Sequence, residues 1–177
     1  HSTQYLKSCG IEPIPLIDSI NEDFLTDKYL DRIDHKENII LYNPTKGWKV
    51  TQQLIAKYPQ WQFLPLKGLN RDQLSEKLYK AKLYIDFGHH PGRDRMPREA
   101  AMHGCCLITG KLGSAGNDVD LPIPKQYKFD SSAPDFVEKF GKLTQDVMDH
   151  FPQHYAALNP YRKWLQDEPR IFKQQIA

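Results

Sequence analysis

The chain has 177 residues, 40% hydrophobic and 26% charged, with a formal net charge of +2. That length holds one domain with a real core, and the balance is ordinary for a globular protein. So small a charge excludes broad nucleic-acid binding driven by charge alone. No apolar run approaches the ~20 residues that span a bilayer, and no stretch has the pattern of a secretory signal. Cys9, Cys105 and Cys106 lack the spacing of a disulfide framework or a zinc site. They point to a reducing, cytoplasmic compartment. A start at His1 rather than Met predicts a fragment of a longer protein or a processed chain.

In chain order, Ser2 to Cys9 reads as a short helix, capped by Ser2 or Thr3 and stopped by Gly10. Ile11 to Ile17 carries two prolines and reads as extended. Across Asp18 to Ile33, Phe24, Leu25, Tyr29, Leu30 and Ile33 recur at helical spacing. The pattern changes at Asn38: the apolar run to Tyr42 suits a parallel strand covered on both faces. A turn at Asn43–Gly47 leads to a helix over Trp48–Tyr58, then a strand over Trp61–Leu66. A loop at Lys67–Asn70 leads to a helix over Arg71–Ala81 and a strand over Lys82–Phe87. Gly88, Pro91 and Gly92 end that strand in a polar loop, and a helix starts near Pro97 with Glu99 in its first turn. Gly104 stops it, and Cys105–Thr109 is another buried strand.

A Gly-, Asp- and Pro-rich loop over 110–126 precedes a short last strand, Tyr127–Phe129. A helix follows over Pro134–His150, with Phe136, Phe140, Leu143 and Val147 on its apolar stripe. Pro152 and Pro160 interrupt the final region, leaving short helices at Tyr161–Leu165 and Ile171–Ile176. Alternating strands and helices predict an α/β fold, a Rossmann-like doubly wound parallel sheet. The predicted units are a connector over 1–37, the sheet domain over 38–151 and C-terminal helices over 152–177. Right-handed crossovers bring the loops at 43–47, 67–70 and 88–96 to one edge, where such sheets bind ligands.

That edge supplies the candidate residues. Lys46 offers a point charge to phosphate beside Gly47, where backbone can approach closely; a solvated turn lysine is the plainer alternative. Neither the P-loop pattern nor the dinucleotide fingerprint is present. Arg93 and Arg95 flank Asp94 as phosphate ligands or as a surface ion-pair cluster; Arg98 lies on the ligand or the solvent side of the helix. His89 and His90 are adjacent, with no Cys, Asp or Glu at ligand spacing, so no metal is expected. Asp86 is a phospho-acceptor or a polar strand end. Glu99 is placed for a sugar's hydroxyl pair, or to favour the helix dipole. Gly113–Gly116, with Ser114, offers backbone N–H groups or is a flexible loop.

Taken together, residues 38–130 resemble the C-terminal, donor-binding domain of a GT-B glycosyltransferase of the retaining, family-4-like group. The carriers are Asn43-Pro44-Thr45-Lys46-Gly47, Tyr84–Gly88, His90-Pro91-Gly92-Arg93-Asp94-Arg95, Pro97-Arg98-Glu99-Ala100-Ala101, Gly104 and Ile108-Thr109-Gly110. The resemblance implies that Glu99 binds the ribose of a nucleotide sugar and Lys46 its diphosphate. Asn43, Gly47, Leu69, Arg93, Pro97 and Ser114 complete the implied donor site. The family carries a first glutamate that contacts the donor sugar, with seven residues between it and the second. Counting back from Glu99 lands on Pro91. The 90–95 loop replaces that motif, leaving His90, Arg93 and Arg95 as the candidate catalytic and sugar-holding residues.

The parent enzyme would transfer sugar from a nucleotide-diphosphate sugar to a glycan or lipid-linked acceptor, without a cofactor or metal. By the same resemblance, residues 2–20 resemble the end of the N-terminal acceptor domain and the connector, most of that domain being absent. The fragment alone would be inactive. The full protein would be cytoplasmic, with peripheral contact at the inner face of the membrane. The alternatives are a non-catalytic nucleotide-sugar sensing module and a receiver-like domain using Asp86; the second lacks the acidic pair, because Asn43-Pro44 stands in its place.

Overall fold

The computed structural model describes residues 2–14, 16–26, 28, 30 and 33–177. Four strands form one all-parallel sheet in the order β2-β1-β3-β4: β1 Glu37–Tyr42, β2 Gln62–Pro65, β3 Ala81–Asp86 and β4 Cys106–Thr109. Leu41 pairs with Leu64 on one side and Tyr84 on the other, and Ile85 pairs with Ile108. Side chains on both faces of β3 and β4 are buried, as their continuous apolar runs require. Strand order reverses between β1 and β3. Right-handed crossovers therefore set α2 (Trp48–Lys57) against one face and α3 (Arg71–Lys80) and α4 (Arg95–Met102) against the other. The sheet is doubly wound and Rossmann-like.

The remaining helices are α1 (Ser2–Ser8), α5 (Phe136–Asp149), α6 (Phe151–Ala157) and α7 (Asn159–Ile176). Helix α5 packs beside α2, where the Tyr58 ring stacks on Trp61 at 4.6 Å and its hydroxyl donates to the Val137 carbonyl at 2.8 Å. Helix α7 packs on α4 and sends Tyr161 and Leu165 into the core. A polar brace ties α6 to α5: His154 contacts the Tyr127 hydroxyl at 2.8 Å and Asp146 at 2.9 Å.

Several elements differ from the sequence reading. Over 18–35 the apolar spacing folds as short 3-10 turns, Glu22–Phe24 and Ile33–His35, and of the described apolar residues Phe24, Leu25, Leu30 and Ile33, Phe24 is buried and the others are half-buried. Tyr29 of that run and Pro15 of the extended segment lie outside the described residues. The last strand shrinks to a single bridge, Thr109 with Lys128, because Pro124 starts a 3-10 turn at Lys125–Tyr127. Pro152 and Pro160 begin helices instead of interrupting them: each sits in a first turn, where its missing N–H has no partner to lose. Pro169 lies inside α7, which runs on through it. Helix α4 starts at Arg95, so Pro97 is its third residue and Glu99 falls in its second turn.

At the opposite edge from the loops, the buried Lys36 ammonium closes two helix ends. It donates to the carbonyl of Leu78 (2.9 Å) in the last turn of α3, that of Ala81 (3.0 Å) just after it, and that of His103 (2.6 Å) after α4. Beyond His103, the N–H groups of Gly104 and Cys105 return to the carbonyls of Ala101 and Ala100, a Schellman ending.

His103 itself is fully buried against Phe24, and burial pushes its imidazole down to about 4, despite the Glu99 carbonyl that favours a proton on Nδ1. The unfolded chain therefore takes up this proton first as pH falls. The stabilisation is intact above about pH 7 and is lost progressively down to about pH 4, on the order of 3 kcal/mol in total. Urea midpoints of the native protein and His103→Gln at pH 7, 5 and 4 test this; the variant should show the shallower decline.

Candidate functional site

The site is built where β1 and β3 deliver adjacent loops. After β1, the Asn43 side-chain oxygen accepts from the Thr45 N–H at 3.0 Å, turning the chain so that Lys46 and Gly47 face the neighbouring loop. Gly47 has φ +61° and caps α2, with its α-carbon pressed on the Phe87–Gly88 peptide. A methyl group there would stand 2.5 Å from the Phe87 carbonyl carbon. Gly88 is as tightly placed against the Lys46 side chain. Only bare backbone lets the two loops touch at this crevice.

Beside that contact lies an ionic group. Lys46 pairs with Asp94, the residue that caps α4. His90, 3% exposed, sits between two carboxylates: Nε2 is 3.4 Å from Asp86 Oδ1, and Nδ1 is 3.6 Å from Asp94 Oδ2. Asp86 accepts from the Gly88 N–H at 2.9 Å and the Tyr84 hydroxyl at 3.1 Å. Burial works to raise its carboxyl, but His90 and these donors outweigh burial and hold it below its usual value. The expectation that no acidic residue stands at ligand spacing from His90 is therefore corrected. Asp86 and Asp94, four residues away on either side, curl round it because the loop is coiled.

Arg93 points elsewhere. Its guanidinium pairs with Glu168 of α7 and lies 4.1 Å from the Trp164 ring centroid. Arg98, 1% exposed, shares Glu168 at 3.2 Å. It also bonds Asp18, with 3.0 Å to the carboxylate and 2.5 Å to the carbonyl, and the Arg93 carbonyl at 2.8 Å. The two arginines clamp the loop from behind. Ser114 is likewise internal: its hydroxyl donates to the Gly92 carbonyl and its N–H to the His90 carbonyl, strapping the loop after β4 to the loop after β3.

A cleft of about 240 Å³ opens on the other side of α4. Leu69, Arg71 and Leu74 form one wall, Arg95 and Glu99 the second, and Phe24 the end. Asn70 caps α3 with a full capping box, which fixes the first wall. The Glu99 side chain is 3% exposed and Arg95 is 66% exposed; they pair at 2.9 Å, one turn apart. Phe24 underlies the Arg71 guanidinium at 5.1 Å. Leu69, Arg95 and Glu99 thus share one cleft, with Lys46 on Asp94 at the N-terminus of the same helix. Pro97 is buried in the first turn of α4, and Asn43 and Gly47 shape the Lys46 turn.

Sequence reasoning missed Glu168, Asp18, Arg71 and Asp94's grip on Lys46. The Gly- and Pro-rich composition marked the loops, but no local pattern announces partners 75 to 80 residues apart in the chain. Among the described residues, no helix is long and apolar enough to cross a membrane. No protein-family model and no curated protein matches this chain.

Proposed function

We propose that this chain is a nucleotide-sugar-binding domain, the donor half of a GT-B-type glycosyltransferase whose partner domain carries the glycan or lipid-linked acceptor. The observation that carries this reading is the cleft between Leu69 and Glu99 at the carboxyl edge of the sheet. Its volume, about 240 Å³, suits a nucleoside and is smaller than the ~300 Å³ at which whole-ligand pockets begin. The nucleoside fills it, and the diphosphate and sugar lie outside towards Arg95 and Lys46. Glu99, shielded from water, accepts from the ribose hydroxyls; the base lies against Leu69 and Arg71. Arg95 is an exposed cation on the wall of the slot, opposite Arg71. Lys46, once released from Asp94, is the second group able to meet negative charge on a departing diphosphate.

A binding module without transfer chemistry is the second reading. It is favoured by Arg93, whose guanidinium is held by Glu168 and Trp164 instead of being offered to a leaving group.

A thermal-shift screen against nucleoside diphosphates and their sugars tests the binding common to both, since a ligand at 100 times its Kd adds about 2.7 kcal/mol. Glu99→Ala is expected to weaken nucleoside diphosphate binding about 10- to 100-fold, the worth of hydrogen bonds to a shielded carboxylate. The fold should survive, because the partner it abandons, Arg95, is exposed. Calorimetric titration reads the affinity. An unchanged Kd removes Glu99 from the site, and no stabilisation by any nucleotide removes the reading.

A further inference from the structure

We propose that Asp86, His90 and Asp94 form a binding site for one divalent transition-metal ion, with room left for exogenous oxygen ligands. The first observation is the donor set. One ligand atom from each of the three residues lies within 4.8 Å of the others; Asp86 and His90 are buried and Asp94 is half-buried. The second is an orphan. His90 is 3% exposed, and its Nε2 is enclosed and makes no hydrogen bond. A buried ring nitrogen without a partner costs about 1–3 kcal/mol, and here it is aimed at the Asp86 carboxylate.

The spacing identifies what fits. Imidazole and carboxylate bind zinc-like ions at ~2.0–2.2 Å, and neighbouring corners of such a tetrahedron lie ~3.4 Å apart. His90 Nε2 and Asp86 Oδ1 stand 3.4 Å apart. That separation is long for a hydrogen bond and right for two ligands of a common ion. Asp94, whose Oδ2 now stands 3.6 Å from the other ring nitrogen, Nδ1, joins as the third ligand by swinging to the Nε2 side, its ligand atom lying within 4.8 Å of the other two. One imidazole with two carboxylates is a mixed nitrogen–oxygen set. It suits zinc, cobalt or manganese, and a calcium or magnesium cage would take oxygen throughout.

Lys46 is the built-in competitor. Its ammonium now neutralises Asp94. A metal taking that carboxylate frees Lys46 to turn outward to the crevice mouth. Metal entry and the exposure of a cation are thereby one event.

The test uses the full chain without nucleotide, so its outcome is independent of the nucleotide reading. Cobalt(II) titration, followed by its visible d–d absorption, should saturate at one ion per chain. Asp86→Asn and His90→Gln should each weaken binding at least tenfold. Lys46→Met should tighten it several-fold, while His154→Gln, which alters the distant Asp146 group, should leave it unchanged. In case the site variants fail to fold, paramagnetic broadening of the native protein's amide signals should centre on residues 86–94. Absence of saturable binding below millimolar cobalt, broadening centred on Asp146–His154, or no tightening in Lys46→Met would each overturn the proposal.

Discussion

Replacing Glu168 by alanine is expected to lower the unfolding free energy by about 3–5 kcal/mol, the cost of leaving buried charge without its partner. Glu168 is 0% exposed and is the carboxylate shared by Arg93 and Arg98. Its removal leaves Arg98 to the exposed Asp18 carboxylate and nearby carbonyls, and takes from Arg93 the carboxylate that its guanidinium pairs with beside the Trp164 face. Two cations then repel in a low-dielectric setting. Urea denaturation measures the loss. The comparison that isolates charge from volume is Glu168→Gln, which keeps the shape and should recover only a minor part. A loss below about 1 kcal/mol would mean that the triad behaves as a surface pair.

The second large effect is at Gly47. Gly47→Ala is expected to cost about 3 kcal/mol or more, from two independent sources. A left-handed conformation costs a residue with a Cβ about 1–2 kcal/mol. The methyl group would also stand 2.5 Å from one backbone atom and 2.8 Å from another, both in Phe87, so the loops must part. Gly68→Ala is the matched control. Its φ is +67°, close to the +61° of Gly47, but nothing lies within 4 Å of the added carbon. Only the conformational share, about 1 kcal/mol, should appear there. Equal costs at the two positions would show that the contact between the β1 and β3 loops contributes nothing. Because Lys46 precedes Gly47, the costly substitution should also displace its ammonium from Asp94, which a change in the Asp94 carboxyl chemical shift would report.

The parallel sheet was legible because its strands carry signals that no helix of this chain carries. Asn38–Tyr42 and Cys105–Thr109 are too short and too uniformly apolar to be surface helices, and glycine or proline bounds each of them. The prolines misled. Pro152 and Pro160 read as breaks when they are helix starts, and Pro169 hid the continuity of α7. That concealed Glu168, the residue on which two arginines converge. At the site, the turn residues exposed the crevice, and Leu69, Arg95 and Glu99 do line one cleft. The destination of Arg93 was not legible, since a guanidinium in a loop carries no mark of the helix it will meet. The carboxylates about His90 were passed over for a related reason. Spacing of four residues normally signals a shared face only within a helix, and this loop reproduces that proximity without being one.

Arg98 gives the domain a mechanical property. Its guanidinium joins the segment ahead of β1 to the crevice loop: one of its nitrogens donates to both the Asp18 carboxylate and the Arg93 carbonyl, and the other terminal nitrogen donates to the Asp18 carbonyl. One residue earlier, the Ile17 N–H donates to the Gln175 side-chain oxygen at 2.7 Å, so the leading segment is fastened to α7 as well as to the loop. Displacement of Asp18 is therefore divided between the long C-terminal helix and the loop that carries His90 and Asp94.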